Sequence, residues 1–342
     1  MFEWILLVVA TLAGGVVLAR PAWVGYARGF SGSTLLGFVL LSVGMTSPLL
    51  FRLHQMMLDS GAGPDAFIGV WNLWWTKQAL LHGMNPFFTS WLYYPSGTSL
   101  ALHTHAVTYG VATLPLQIVF GSEGGTKLYG IYNLILLASF SLTGYFTYRL
   151  ALHESQHRGA SILAGLIMAF CAFRFANTVR LHVIATELLV LTTWAAVVWV
   201  HRPNAMRLLG LLGAGFLLAH ASLEYTVIAL LVFGWITLSR IFPSRLRPAP
   251  LPSPGSSEGR RAILRAAYHE DKPPSPRARR FAWVGIAVLA LAAWPLGSAV
   301  VRRVAAGGTG FDPRLGLYFS ADLLDLFLPN PRHPLWGATF SQ

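Results

Sequence analysis

Charge is scarce in this chain. Lys, Arg, Asp and Glu together make up 11% of its 342 residues, against 54% hydrophobic. That is too little charge to coat a water-soluble fold of this length. Cysteine is scarcer still: Cys171 stands alone inside an apolar run. A lone cysteine excludes an intrachain disulfide and a multi-cysteine zinc site, and its position points to packing. The apolar runs are continuous rather than alternating, which excludes a transmembrane β-barrel. The first run lacks a basic start and an A-x-A type site after it, so no cleavable leader is expected.

What is present is a series of apolar runs of roughly 17–20 residues, about the length that crosses a hydrocarbon core. Residues 2–19, 34–51, 128–148, 183–200, 223–239 and 282–301 read as spans. Residues 160–173 and 206–220 are shorter, and 104–120 is marginal because it carries Thr, His, Gln and a central Pro115. The expected fold class is an all-α polytopic membrane protein, a transmembrane helix bundle whose external first loop contains amphipathic surface helices. The expected location is integral to a membrane, the prokaryotic cytoplasmic membrane.

The net charge of +12 serves mainly to orient these spans. Between Arg240 and Phe281 lie ten Lys/Arg residues and three acids, among many prolines and serines. Such a segment reads as a disordered cytoplasmic loop placed by the positive-inside rule. Only Phe242 and Tyr268 lie among its basic residues, too little for nucleic-acid stacking, so no nucleic-acid partner is expected. The expected organisation is a transmembrane module over 1–239 with an external loop at 52–103, the basic loop 240–281, a span at 282–301 and an external segment at 302–342. Counting inward from both ends, the side assignments disagree by one crossing. A 104–120 segment that is re-entrant or interfacial removes the disagreement. Reversing the N-terminal half is the rival repair. The chain ends at Gln342, just after a Pro/His/Gly-bearing run at 329–337, which reads as a truncated frame.

The segment from Pro64 to His105 is the richest in chemistry. It holds Asp65, four of the twelve tryptophans (Trp71, Trp74, Trp75, Trp91) and His82, His103 and His105. Asp65 follows Gly61, Gly63 and Pro64 and is placed to open a helix. Phe67, Val70, Trp71, Trp74, Trp75 and Leu81 recur at helical spacing, which predicts an amphipathic surface helix ending near Gly83. Asp65 has two readings, a helix cap or a catalytic carboxylate. The tryptophans read as an interface belt or as sugar platforms. His103 and His105, at i and i+2, do not share a helical face, so the pair gives little support to metal ligation.

The run D-A-F-x-x-x-W-N-x-W-W, then N-P-F, then Y-P-x-G-x-x-L-x-x-H-T spans Asp65 to Thr104. It resembles a group of bacterial and archaeal multi-span proteins similar to the GT-C superfamily of membrane glycosyltransferases. The likeness continues at Phe173-Arg174-Phe175-Ala176, at Arg180-Leu181-His182, and at Ser320-Ala321-Asp322 with Pro329, Pro331, His333-Pro334 and Gly337. It implies a GT-C-like helix bundle that transfers a sugar from a polyprenyl-phosphate donor on the external face, with Asp65 at the reaction centre. Many such proteins carry paired first-loop acids, whereas Asp65 has no acidic neighbour nearer than Asp59. A lone carboxylate suits general-base activation of a hydroxyl better than a divalent cation, so no cofactor is assigned and no metal ligand is named.

The residue chemistry points the same way. A phosphate-bearing lipid donor needs cations, and the segments expected outside supply Arg52, His103, His105, Arg174, Arg180, His182, Arg332 and His333. Each also reads as a headgroup contact with membrane lipids. Glu187 and Glu224 fall at or within expected spans, where ionisable groups usually face a cavity or a partner. Glu187 either lines the cavity or pairs with Arg180, seven residues before it. Glu224 and Tyr225 are expected to line the same cavity. Asp322 and Asp325 share a helical face and read as cavity carboxylates or a cap. Two classes of function remain open: a lipid-linked-sugar glycosyltransferase, and a transporter, lipid-handling protein or inactive scaffold of the same fold. No internal repeat of the transporter kind is visible.

Overall fold

Helices account for most of the backbone in a computed structural model of the chain, which describes residues 32–58, 65–100, 104–121 and 126–241. For residues 65, 66 and 238–241 it describes the backbone alone. All of these lie within the unit Met1–Trp294. In order they form α1 (Gly32–Met45), a 3-10 turn (Leu49–Arg52), α2 (Asp65–Leu81), a two-stranded antiparallel hairpin of β1 (Phe88–Thr89) and β2 (Thr98–Ser99), α3 (Val107–Ala112) and α4 (Leu114–Phe120). Then follow α5 (Thr126–Ser155), α6 (Arg158–Ala169), α7 (Ala172–Ala176), α8 (Leu181–Ile184), α9 (Thr186–His201), α10 (Ala205–Ala219) and α11 (Leu223–Ile241). The spans expected at 2–19 and 282–301, most of the basic loop and the 302–342 segment lie outside the described residues.

Three helical stretches are long and apolar enough to cross a membrane: Thr126–Ser155, Arg158–Ala176 and Leu181–His201. At 1.5 Å per residue, the thirty residues of α5 measure about 45 Å, more than a hydrocarbon core of about 30 Å. α5 is the hub. α1, α2, α6 and α9 all pack on it, and α9 in turn carries α10 and α11. Leu128, Ile131, Tyr132, Ile135, Leu136 and Phe140 of α5 are buried in the main core with Leu188, Leu191, Trp194 and Trp199.

Local chemistry fixes the breaks. α5 and α6 form a hairpin through Gln156 at φ +56 and His157, whose Nδ1 accepts from the Ala160 N–H at 3.1 Å and caps α6. α1 seats Phe38 where α5 and α6 are closest. A Cβ on Gly144 would lie 2.4 Å from the Phe38 ring, and one on Gly165 would lie 2.6 Å from the Gly144 carbonyl oxygen. Glycine at those two positions is what lets three backbones converge.

One expected span is corrected. Residues 34–51 do not form one helix: α1 stops at Met45 and the chain turns through Ser47-Pro48 into the 3-10 turn. The 104–120 segment is two helices of six and seven residues divided at Thr113, with Pro115 in the first turn of the second. Proline lacks the N–H to continue the first helix but fits the start of the next. At about 9 and 10.5 Å neither piece crosses a bilayer. The apolar run at 160–173 falls within the Arg158–Ala176 stretch that is long and apolar enough to cross, with a break in the helix between Ala169 and Ala172.

Candidate functional site

One end of the bundle gathers the segments between the helices. His54 approaches the Thr126 carbonyl at 3.3 Å, and Asn133 Nδ2 donates to the carbonyls of Leu53 and Met56 at 2.8 and 2.7 Å. Tyr132 donates to the Thr178 carbonyl at 2.8 Å, and the Thr178 hydroxyl donates to the Leu58 carbonyl at 2.7 Å. Tyr225 donates to the Val183 carbonyl at 2.6 Å, and the Thr108 hydroxyl donates to the Leu217 carbonyl at 2.7 Å. Residues 53–58, 104–109, 178–184 and 217–225 therefore meet there. The loops near 153 and 201 meet elsewhere, where the His153 and His201 rings lie 5.4 Å apart.

Within the first end lies a cavity of about 180 Å³, lined by Ile68, Gly69, Thr104, Val179, Arg180, Leu181 and His182. One wall is α2. Ile68 and Gly69 stand three and four residues after Asp65, so Asp65 begins the helix on the face that borders the cavity. Asn72, one turn further on, donates to the Thr104 carbonyl at 2.6 Å and holds Thr104 against α2. A Cβ on Gly69 would meet Tyr132 at 2.7 Å and Leu181 at 3.4 Å. Glycine there lets the two walls approach. The opposite wall is the turn into α8. The Arg180 carbonyl accepts from the N–H groups of Val183 and Ile184 at 2.9 and 3.0 Å, and Arg180 Nη1 donates to Asn177 Oδ1 at 3.0 Å.

A second polar cluster is enclosed in the bundle itself. Arg174 is 1% exposed and Glu187 3%. Arg174 Nη2 donates to Ser139 Oγ at 2.8 Å, and Ser139 lies 2.6 Å from Glu187 Oε2. Arg174 Nη1 also donates to Thr143, Thr143 and Thr186 share a hydrogen bond of 2.9 Å, and Tyr109 donates to Glu187 Oε1. The guanidinium lies 4.6 Å from the Phe140 ring centroid. Burial and the neighbouring Glu187 carboxylate hold the Tyr109 phenol well above its usual range, so it stays protonated as a donor. The cluster ties α3, α5, α7 and α9 together.

The residues singled out from sequence thus divide. Arg180 and His182 line the cavity, and Asp65 sits at the head of its α2 wall. Arg174 and Glu187 belong to the enclosed cluster. The expected pairing of Glu187 with Arg180 is corrected, because Glu187 takes its hydrogen bonds from Tyr109 and Ser139. Glu224 and Tyr225 do not share a cavity. Tyr225 is buried, whereas Glu224 is exposed and accepts from Ser222 Oγ at 3.2 Å. His105 is a buried residue rather than half of a surface pair, its ring edge-on to Phe87 at 5.3 Å. His103, Asp322 and His333 lie outside the described residues.

One tryptophan of α2 is also corrected. Trp75 is 3% exposed, stacks on Trp71 at 5.9 Å and donates from Nε1 to the Pro86 carbonyl at 3.1 Å. It is a core residue and does not anchor an interface. The sequence reasoning missed Ile68, Gly69 and Thr104 at the cavity and Tyr109, Ser139 and Thr143 in the enclosed cluster. The i+3, i+4 offset from Asp65 was the available signal for the first two, and the i, i+4 spacing of Ser139 and Thr143 for the last. Among the described residues no group of three or more His, Cys, Asp or Glu comes together to hold a metal ion. No family model, no curated protein and no solved structure matches this chain.

Proposed function

We propose that this is an integral membrane glycosyltransferase of GT-C-like architecture, taking a sugar from a polyprenyl-phosphate donor at the cavity between α2 and α8. The observation that carries the reading is the convergence on one cavity of the Asp65 face of α2 with Arg180 and His182. In this mechanism Asp65 takes the proton of an acceptor hydroxyl and the freed oxygen attacks the anomeric carbon. The bond from that carbon to the phosphate oxygen breaks, and the polyprenyl phosphate departs with both bonding electrons. Arg180 and His182 stabilise the charge on the leaving phosphate, the part a bidentate guanidinium fits best. At about 180 Å³ the cavity is smaller than the roughly 300–1,000 Å³ of a drug-sized ligand site, so it would take only the phosphate or the sugar of the donor, with the lipid chain outside it. Arg174 and Glu187 frame the site from within the bundle without touching donor or acceptor.

The experiment is transfer from radiolabelled polyprenyl-phosphate sugars by the purified protein in vesicles, wild type beside Asp65→Asn. Loss of a general base lowers turnover by roughly 10²–10⁴-fold. Equal turnover by both proteins, or none with any donor, removes this reading. Donor binding without turnover would instead favour the lipid-handling alternative.

A further inference from the structure

The hairpin that follows α2 presents a surface the transfer reaction does not use. From Gly83 to Leu100 the chain carries no Asp, Glu, Lys, Arg or His. Its aromatic and apolar side chains are nonetheless turned outward: Tyr94 is 85% exposed, Tyr93 80%, Trp91 67%, Phe88 45% and Leu92 38%. Contiguous exposed apolar surface of this kind marks a contact with a partner or a membrane.

The hairpin is held firmly at its base. Trp91 stands edge-on to Trp74 at 5.3 Å, Leu100 N–H donates to the Phe87 carbonyl at 2.7 Å, and Thr89 is 1% exposed. Gly97 has φ +68, and a Cβ there would lie 2.6 Å from the Phe88 ring. Two polar side chains serve the fold: Asn85 Oδ1 accepts from the Phe87 N–H at 2.7 Å, and Thr89 Oγ1 accepts from the Trp91 N–H at 3.1 Å. Around them lie rings with a polar edge, small hydroxyls and no charge, the chemistry of the headgroup boundary of a bilayer.

The position agrees. α2 meets α5 where Gly69 touches Tyr132, six residues or about 9 Å inside the start of that long apolar helix. Phe87, beside β1, lies 6.0 Å from the His220 ring in the turn between α10 and α11, so the hairpin stands at an end of the bundle. We propose that the 88–99 hairpin is a membrane-interface wedge, its Trp91–Tyr94 tip seated between headgroups and acyl chains. The proposal rests on the chain being a membrane protein and not on what it catalyses.

The test is a depth measurement in vesicles of phosphatidylcholine and phosphatidylglycerol. In a Cys171→Ala background, Leu92→Cys and, separately, Tyr94→Cys carry an environment-sensitive fluorophore. Glu154→Cys, exposed in the last turn of α5 beside the His153–His201 ring pair, is the reference. The expected result is a blue-shifted emission at 92 and 94, quenched several-fold more than at 154 by lipids bearing a shallow nitroxide and several-fold less by iodide. Iodide quenching at 92 and 94 equal to that at 154 would overturn the proposal. Shielding from both quenchers would overturn it too, since another protein surface would then cover the tip. Transfer activity is not read, so the outcome is independent of the glycosyltransferase proposal.

Discussion

Arg174 and Arg180 stand six residues apart and occupy different environments. Arg174 is sealed inside the bundle, bonded to Ser139 and Thr143 and lying over Phe140. Arg180 opens α8, bonds Asn177 and borders the cavity. In sequence both are cations of one apolar-flanked segment and both suit phosphate equally. What separates them is the turn between α7 and α8, which sends one inward to Glu187's neighbourhood and leaves the other at the rim. A buried guanidinium is committed to its own fold, because withdrawing it would strand an enclosed carboxylate. A rim guanidinium can exchange its partners for a ligand.

That contrast can be broken in measurable ways. The largest effect is expected for Arg174→Ala, which removes the cation nearest a buried carboxylate. Breaking such an arrangement costs about 3–5 kcal/mol, so the variant should unfold at markedly lower temperature or fail to accumulate. Tyr109→Phe removes one donor to Glu187 and nothing else, and should cost about 1.5–3 kcal/mol by thermal unfolding in detergent. Combined with Ser139→Ala its effect should be non-additive, since both hydroxyls serve one carboxylate. Gly69→Val forces α2 away from Tyr132 and Leu181 and should cost about 1–3 kcal/mol. It should also weaken donor binding, because the displaced helix carries one wall of the cavity.

Much of the frame was legible in the chain. Asp65 as the first residue of α2 and a stop near Gly83, at φ +64, followed from capping and glycine chemistry, and the helices at 128–148, 183–200 and 206–220 followed from apolar length. The break near Pro115 was readable from a missing N–H. The break at Ser47-Pro48 carried the same signal and was masked by the apolar residues on both sides. Trp75 misled because helical spacing says which residues share a face, not whether that face meets lipid or protein. Trp75 meets Ala79 and Leu100. Hydroxyl residues such as Ser139 and Thr143 are silent in sequence, since inside a membrane helix they usually bond their own backbone. Only the approach of α7 and α9 gives them charged partners. Arg174 and Arg180 could not be told apart for the same reason: their difference is tertiary.

The most direct measurement of that difference sets Arg180→Ala beside Arg174→Ala, with donor KM and thermal unfolding read on the same preparations. Arg180→Ala should raise the KM for a polyprenyl-phosphate sugar about tenfold or more while shifting stability by no more than about 0.5 kcal/mol. Arg174→Ala should show its loss in unfolding. An Arg180→Ala protein that unfolds as early as Arg174→Ala while binding donor as the wild type does would contradict the division of roles between the cavity and the enclosed cluster.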